Sequence, residues 1–262
     1  MGKESRDLAP AVTRAVLVLD ALAKSPRPLA LGELAASLGL PKSSVFGICS
    51  SLLASGVIER REDGSYALGL RIVDFANARL DQNNLAQEFV QFWTRHPEFS
   101  KEAAIMSELV GTEVVYLACK NSSRPLGVTF RVGMRLPAAV TATGKALLST
   151  LDEQELDRLY AGKRQIEPLT SRSVRTLAAL KRQLKEVRRN GYSIDDGETR
   201  EGMCSFGAPV RARATSSAAI AGVAVSFFRA DLNERRVKQA ITAIKELAQL
   251  LSEKAARLSP AA

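Results

Sequence analysis

Apolar residues recur at spacings of three and four over 11–23. Val12, Val16, Leu19, Leu22 and Ala23 share one face there, which predicts an amphipathic helix ended by Pro26 and Pro28. A second helix is expected over 31–38, with Leu31, Leu34, Ala35 and Leu38 inward and Glu33 at the capping-box position behind Ala30. Gly39-Leu40 makes a tight turn, and Pro41 opens a third helix that buries Val45, Ile48, Leu52 and Leu53 until Gly56 stops it. Two short strands, 57–60 and 66–68, flank Asp63-Gly64, a hairpin-turn pair. From 69 to about 83, Leu70, Val73, Ala76 and Leu80 predict a linker helix, broken at Asp81-Gln82-Asn83-Asn84.

Beyond that break the pattern changes. Strands are expected over 103–109, 113–119, 126–132, 192–195, 205–210 and 219–228. Helices are expected over 141–148, from a capping box at 150–153, and along Leu177, Leu180, Leu184 and Val187 to Asn190-Gly191. A last helix, capped by 231–234, runs to about 258 and buries Val237, Ile241, Ile244, Leu247 and Leu251. Strands, helices, strands and a closing helix make an α+β domain. The expected organisation is a helix-turn-helix unit at 1–68, a linker helix at 69–84 and an α+β domain at 85–262.

Helix, helix, three-residue turn, helix and hairpin form the winged helix-turn-helix arrangement. Its third helix fits the major groove of duplex DNA, and its hairpin tip reaches the neighbouring backbone or minor groove. Opposite its apolar stripe the third helix offers Lys42, Ser43, Ser44, Phe46, Gly47 and Ser50, and the wing adds Arg60 and Arg61. Lysine and serine can bond bases or phosphates, and Phe46 can touch a thymine methyl. A three-helix module also suits a protein partner, so a small-molecule sensor acting through another protein is the alternative.

Composition narrows the chemistry. The chain has 262 residues, 46% hydrophobic and 25% charged, which is enough for a real core and excludes global disorder. No apolar run reaches the roughly 18 residues of a membrane span, and the start Met-Gly-Lys-Glu lacks a signal-peptide stretch. Cys49, Cys119 and Cys204 are widely separated and read as reduced thiols, so a cytoplasmic protein is expected. His96 is the single histidine and reads as a surface residue before a proline turn. No CxxC, HxxxH or HExxH spacing and no GxGxxG, GxxxxGK[ST] or GxSxG occurs. We therefore expect no metal, no cofactor and no catalytic residues: a binding protein, not an enzyme. The net charge of +9 permits nucleic acid as a partner. Position matters more: residues 1–70 carry eight Lys/Arg against seven Asp/Glu, while 163–213 carry twelve against six. Charge alone does not locate a DNA-binding face.

Four stretches in order are similar to the IclR family of bacterial transcription regulators. They are Leu34-Ala35 to Gly39-Leu40-Pro41-Lys42-Ser43-Ser44-Val45; Arg131-Val132-Gly133-Met134-Arg135-Leu136-Pro137; Thr141-Ala142-Thr143-Gly144-Lys145-Ala146-Leu147-Leu148; and Gly191-Tyr192-Ser193-Ile194-Asp195-Asp196 with Gly202-Met203-Cys204 and Ala208-Pro209-Val210. The resemblance spans about residues 10–255. It implies a winged-helix domain, a linker helix and a GAF-like effector domain. It also implies dimers or dimers of dimers on pseudo-palindromic operators, and a small metabolite, often an organic or aromatic acid, that alters DNA binding. The implied pocket residues are Met134, Leu136, Thr141, Ala142, Thr143, Gly144, Asp195, Cys204 and Ser226. The residues themselves leave alternatives. Thr141 and Thr143 suit a carboxylate or serve only as helix caps; Cys204 suits a buried core; Asp195 suits its own turn. The chain departs from the family at Gly47, where many members have arginine, in the length of 195–204, and at Ala224 and Ser226, where some have two serines.

Overall fold

The computed structural model describes residues 8–81, 84–125, 127–162, 165–212 and 218–258. Gln82 and Asn83 of the expected break, Leu126 of an expected strand, and Lys163 and Arg213 of the basic segment lie outside these residues. Contacts divide the chain into two compact units, Met1–Gln82 and Asn83–Ala262.

In the first unit, α1 (Pro10–Lys24), α2 (Leu31–Leu38) and α3 (Lys42–Ala54) enclose Val18, Leu22, Leu34, Ala35, Val45 and Cys49. The hairpin of β1 (Ile58–Arg60) and β2 (Tyr66–Leu68) adds Ile58 and Tyr66 to this core. Each such side chain, fully buried, contributes about 1.5–3 kcal/mol when aliphatic. Gly39, at φ +62°, ends α2 and lets the Leu40 amide turn back onto Ala35 O at 3.1 Å. Glu33 caps α2 by accepting from Ala30 N at 2.8 Å, and its bond to Arg27 holds the carboxyl down at about 2. Asp63 closes the wing by accepting from Ser65 N at 2.9 Å.

The stripe expected on α1 is displaced. Val18 and Leu22 are its buried residues, whereas Val12 and Val16 are 63% and 51% exposed. This helix carries apolar residues on more than one face, and a list of apolar positions does not say which face meets the core. On α3, Cys49 takes the central place, while Ile48, Leu52 and Leu53 are half-buried. The last element of the unit, α4 (Arg71–Asp81), starts two residues later than expected and is anchored by Arg71, which donates to Ser55 O at 2.6 Å.

The second unit opens with α5 (Leu85–Thr94), a helix the sequence pattern did not flag. It buries Phe89, Phe92 and Trp93, whose rings meet edge to face. A six-stranded antiparallel sheet follows, built from β3 (Ala103–Val110), β4 (Glu113–Lys120), β5 (Arg135–Pro137), β6 (Ser193–Asp196), β7 (Met203–Arg211) and β8 (Ala219–Phe228), in the order β5-β4-β3-β8-β7-β6. Strand alternation sorts β8 cleanly. Val223, Val225 and Phe227 face α5 and the long α9 (Glu234–Leu258). Ala224 faces the other layer, made of α6 (Ala142–Leu148), α7 (Glu153–Leu159) and α8 (Leu177–Asn190).

Two expectations need correction. Residues 127–132 form no strand, because the Phe130 amide donates to the Asn121 side chain at 2.8 Å instead of to a neighbouring strand. Gly133, at φ +82°, then reverses the chain so that β5 pairs with β4. The capping box of α7 joins Asp152 and Glu155, while Thr150 turns its hydroxyl to Leu147 O. The cap of α9 falls within the expected 231–234, at Asn233, whose Oδ1 accepts from Arg236 N at 2.9 Å. Among the described residues, no helix is long and apolar enough to cross a membrane.

Candidate functional site

On α3 the side opposite the core leaves Lys42, Ser43, Phe46, Gly47 and Ser50 exposed, with Ser44 half-buried. Phe46 is 53% exposed, an aromatic ring with no place in the core. Ser50 and Ser51 donate to the carbonyls of Phe46 and Gly47 at 2.9 and 3.2 Å, so their outward lone pairs remain as acceptors. A Cβ on Gly47 would meet nothing within 4 Å. The wing arginines are both held. Arg60 donates to Gly64 O at 3.3 Å and lies over the Tyr66 ring, and Arg61 pairs with Glu59 at 2.8 Å. This face can therefore offer one lysine, hydroxyl acceptors and an apolar edge to a groove.

In the second unit, a cavity of about 260 Å³ lies between the sheet, the start of α6 and the irregular segment carrying Val128, Thr129 and Phe130. Six of the nine residues expected at a pocket line it: Met134, Leu136, Thr141, Ala142, Asp195 and Ser226. Thr143 and Gly144 do not. Thr143 is fully buried, and its hydroxyl has no partner among the described residues. Gly144 is there for packing, since a Cβ would sit 2.2 Å from Ala138 O, and its amide is already taken by Thr141 Oγ1 at 3.1 Å. Cys204 projects from the opposite face of β7 and borders a second, open groove of about 590 Å³ along β6. Burial, then the charge of Asp195, pushes its thiol up to about 11, so it stays protonated near neutrality and is a poor nucleophile.

The polar groups of the cavity come from three places. Ser205 and Ser226 are paired directly across β7 and β8, with hydroxyls 2.9 Å apart. Asp195, at the end of β6, turns one carboxylate oxygen to the amides of Glu198 and Thr199 at 2.7 and 3.1 Å. Burial nevertheless pushes its carboxyl above the ordinary aspartate range, outweighing those bonds and the nearby Lys145 charge. Tyr116 lines the same wall, its hydroxyl likewise driven up by burial. Arg200 lines the exposed rim and makes no ion pair among the described residues.

Behind Asp195, Lys145 donates from Nζ to Ile194 O at 2.9 Å and to Glu198, both charges buried. The sequence reading missed Ser205, Tyr116 and Arg200. Strand alternation puts Ser205 on the cavity face with Met203, and the choice of Cys204 selected the opposite face. His96 lies outside this wall, stacked 4.3 Å from Phe92 and bonded to Glu98 at 2.9 Å. Among the described residues, no group of three or more His, Cys, Asp or Glu side chains could hold a metal ion.

Sequence comparison decides between the readings of this two-part arrangement. Residues 77–253 match the family description "Bacterial transcriptional regulator IclR C-terminal", and residues 11–62 match "IclR helix-turn-helix domain". The chain belongs to the IclR family. It is 39% identical to the Agobacterium tumefaciens repressor BlcR over 96% of this chain and 99% of that one, with a TM-score of 0.60. It is 32% identical to the HTH-type transcriptional regulator TtgV of Pseudomonas putida, over 74% of each chain. An IclR homolog from Microbacterium hydrocarbonoxydans, solved in complex with 4-hydroxybenzoate, shares the fold at 20% identity, with a TM-score of 0.80 over 95% of this chain and 100% of that one. IclR-family proteins are ligand-responsive, DNA-binding transcriptional regulators, and this chain's α+β second unit fits the GAF-like description of their effector domain.

Proposed function

We propose that this chain is a cytoplasmic regulator that reads a pseudo-palindromic operator as a homodimer, or as a dimer of dimers, and releases or engages it when a small organic or aromatic acid occupies the 260 Å³ cavity. Lys42, Ser43, Ser44, Phe46, Gly47 and Ser50 of α3 would meet the major groove, and Arg60 and Arg61 the flanking backbone. The cavity carries the reading. It is a partly open, mainly apolar cleft edged by a few buried polar groups, the usual build of a small-molecule site. The expectation that a carboxylate sits on the start of α6 has little support, because the Gly144 amide is committed to Thr141 and that helix has seven residues. Two copies are favoured by the outward apolar positions Leu70, Val73 and Phe75, which are 83%, 52% and 52% exposed. The test is footprinting of the full chain on the DNA flanking its own gene, across a salt series, with and without 4-hydroxybenzoate and aliphatic acids. Protection with two-fold symmetry that weakens steeply with salt is expected. Absence of salt-sensitive protection on any such DNA would favour the protein-partner alternative.

A further inference from the structure

The two charged residues that line the cavity have opposite signs and different depths. Asp195 is 3% exposed and sits at the inner wall, whereas Arg200 is exposed at the rim. Asp195 has one oxygen tied to two backbone amides, and it stands beside the Ser205–Ser226 hydroxyl pair. A second carboxylate placed there would face a buried acid, and two such groups cannot both stay ionised at contact. What the inner wall accepts is a hydrogen-bond donor. What the rim accepts is an anion, because the Arg200 guanidinium has no ion-pair partner among the described residues. By contrast, Arg172 and Arg229 nearby are both paired with Asp196.

Resting on the ligand-sensing reading above, we propose that the effector is a compact two-ended acid. Its carboxylate pairs with Arg200 at the rim, and a hydroxyl or amino group at its other end donates to Asp195 and hydrogen-bonds the Ser205–Ser226 pair. The walls between these ends are Ile105, Val128, Phe130 and Leu136, which suit a short hydrocarbon or a single ring. The volume of about 260 Å³ lies below the usual range of roughly 300–1,000 Å³ for ligand sites, so the spacer is short.

The experiment is calorimetry on the full chain with matched probes. These are straight-chain acids of graded length, each as the parent acid, the ω-hydroxy acid, the ω-amino acid and the neutral diol, together with benzoate and 4-hydroxybenzoate. One substituted acid should bind at least tenfold tighter than its parent. Asp195→Asn, whose amide oxygen can still accept from Glu198 and Thr199, should bring that ratio close to one. Arg200→Gln, at an exposed position, should weaken the acids and leave diol binding unchanged. Parent acids that bind as well as their substituted partners, or acids indifferent to Arg200→Gln, would overturn the two-ended assignment while leaving ligand sensing intact. Failure of every probe to bind would overturn the sensing reading along with it.

Discussion

Lys145 on α6 and Glu198 beyond β6 form an ion pair in which neither residue is more than 5% exposed. Glu198 also accepts from Gln183 Nε2 at 3.2 Å, and its own amide bonds Asp195, so the pair ties a cavity-lining turn to a helix. Removing one partner strands a buried charge. Lys145→Met should therefore destabilise the chain by about 3–5 kcal/mol. Adding Glu198→Gln removes the stranded charge and keeps an acceptor, so the double variant should recover a large part of that loss. Denaturant unfolding of the three proteins measures this, and a double variant no more stable than Lys145→Met would refute it.

Asp195 should give the cavity a pH signature. Its carboxyl is raised above the ordinary 3.8, chiefly by burial. At pH below 3.8 the group is protonated in both folded and unfolded chains and contributes no difference. As pH rises, the unfolded chain releases this proton first, so stability falls until the raised pKa is passed. Asp195→Asn abolishes that fall. The melting temperature of the variant relative to wild type should climb from about pH 4 upwards and then level off. A constant difference across that range would mean the acid is not perturbed.

Much of this architecture was legible because periodicity reports burial wherever one face of an element is buried. α2, α8 and α9 bury the predicted residues Leu34, Leu184 and Ile244 for that reason. α5 carries the same signal, Leu85, Phe89, Phe92 and Trp93 at helical spacing, but it follows at once on the polar break at 81–84, and Asn84 starts it from a left-handed conformation at φ 48°. The cavity was legible in motif and not in geometry. Asp195 and Ser226 were found, but the partner of Ser226 is set by strand register, as Ser205↔Ser226, and register depends on pairing that no local pattern carries.

Gly47 offers a test with two readouts of opposite sign. A glycine inside an exposed helix costs about 0.5–1 kcal/mol relative to alanine. Among the described residues nothing lies within 4 Å of the position a Cβ would take, so packing there does not demand it. Under the proposed docking, close approach of the α3 backbone to a groove would, and Phe46 and Ser50 flank the same surface. Gly47→Ala should raise stability by about 0.5–1 kcal/mol and weaken operator binding in the same preparation. Unchanged operator affinity would separate this residue from the contact surface.

The helix α4 should hold two copies together. Leu70 just before it, and Val73 and Phe75 within it, leave apolar side chains in water, and α1 adds Val12 and Val16. Singly, exposed apolar residues need no explanation. Four on two helices of one small winged-helix unit, with Leu70 beside them, are a cost that association would remove, and the proposed pseudo-palindromic operator would demand two units at a fixed spacing. Val73→Asp puts a charge into that face without touching the core of Val18, Leu34 and Val45. The full-length variant should sediment as a monomer at concentrations where wild type is dimeric. Its operator affinity should fall sharply, because each half-site is then read alone. Binding of small acids should survive, since the cavity draws its lining wholly from the second unit. Any coupling of ligand to DNA, typically about 1–3 kcal/mol, should vanish with the dimer if α4 transmits it. A variant that stays dimeric and keeps its full ligand response would make α4 a passive tether, and the coupling would then run through direct contact between domains.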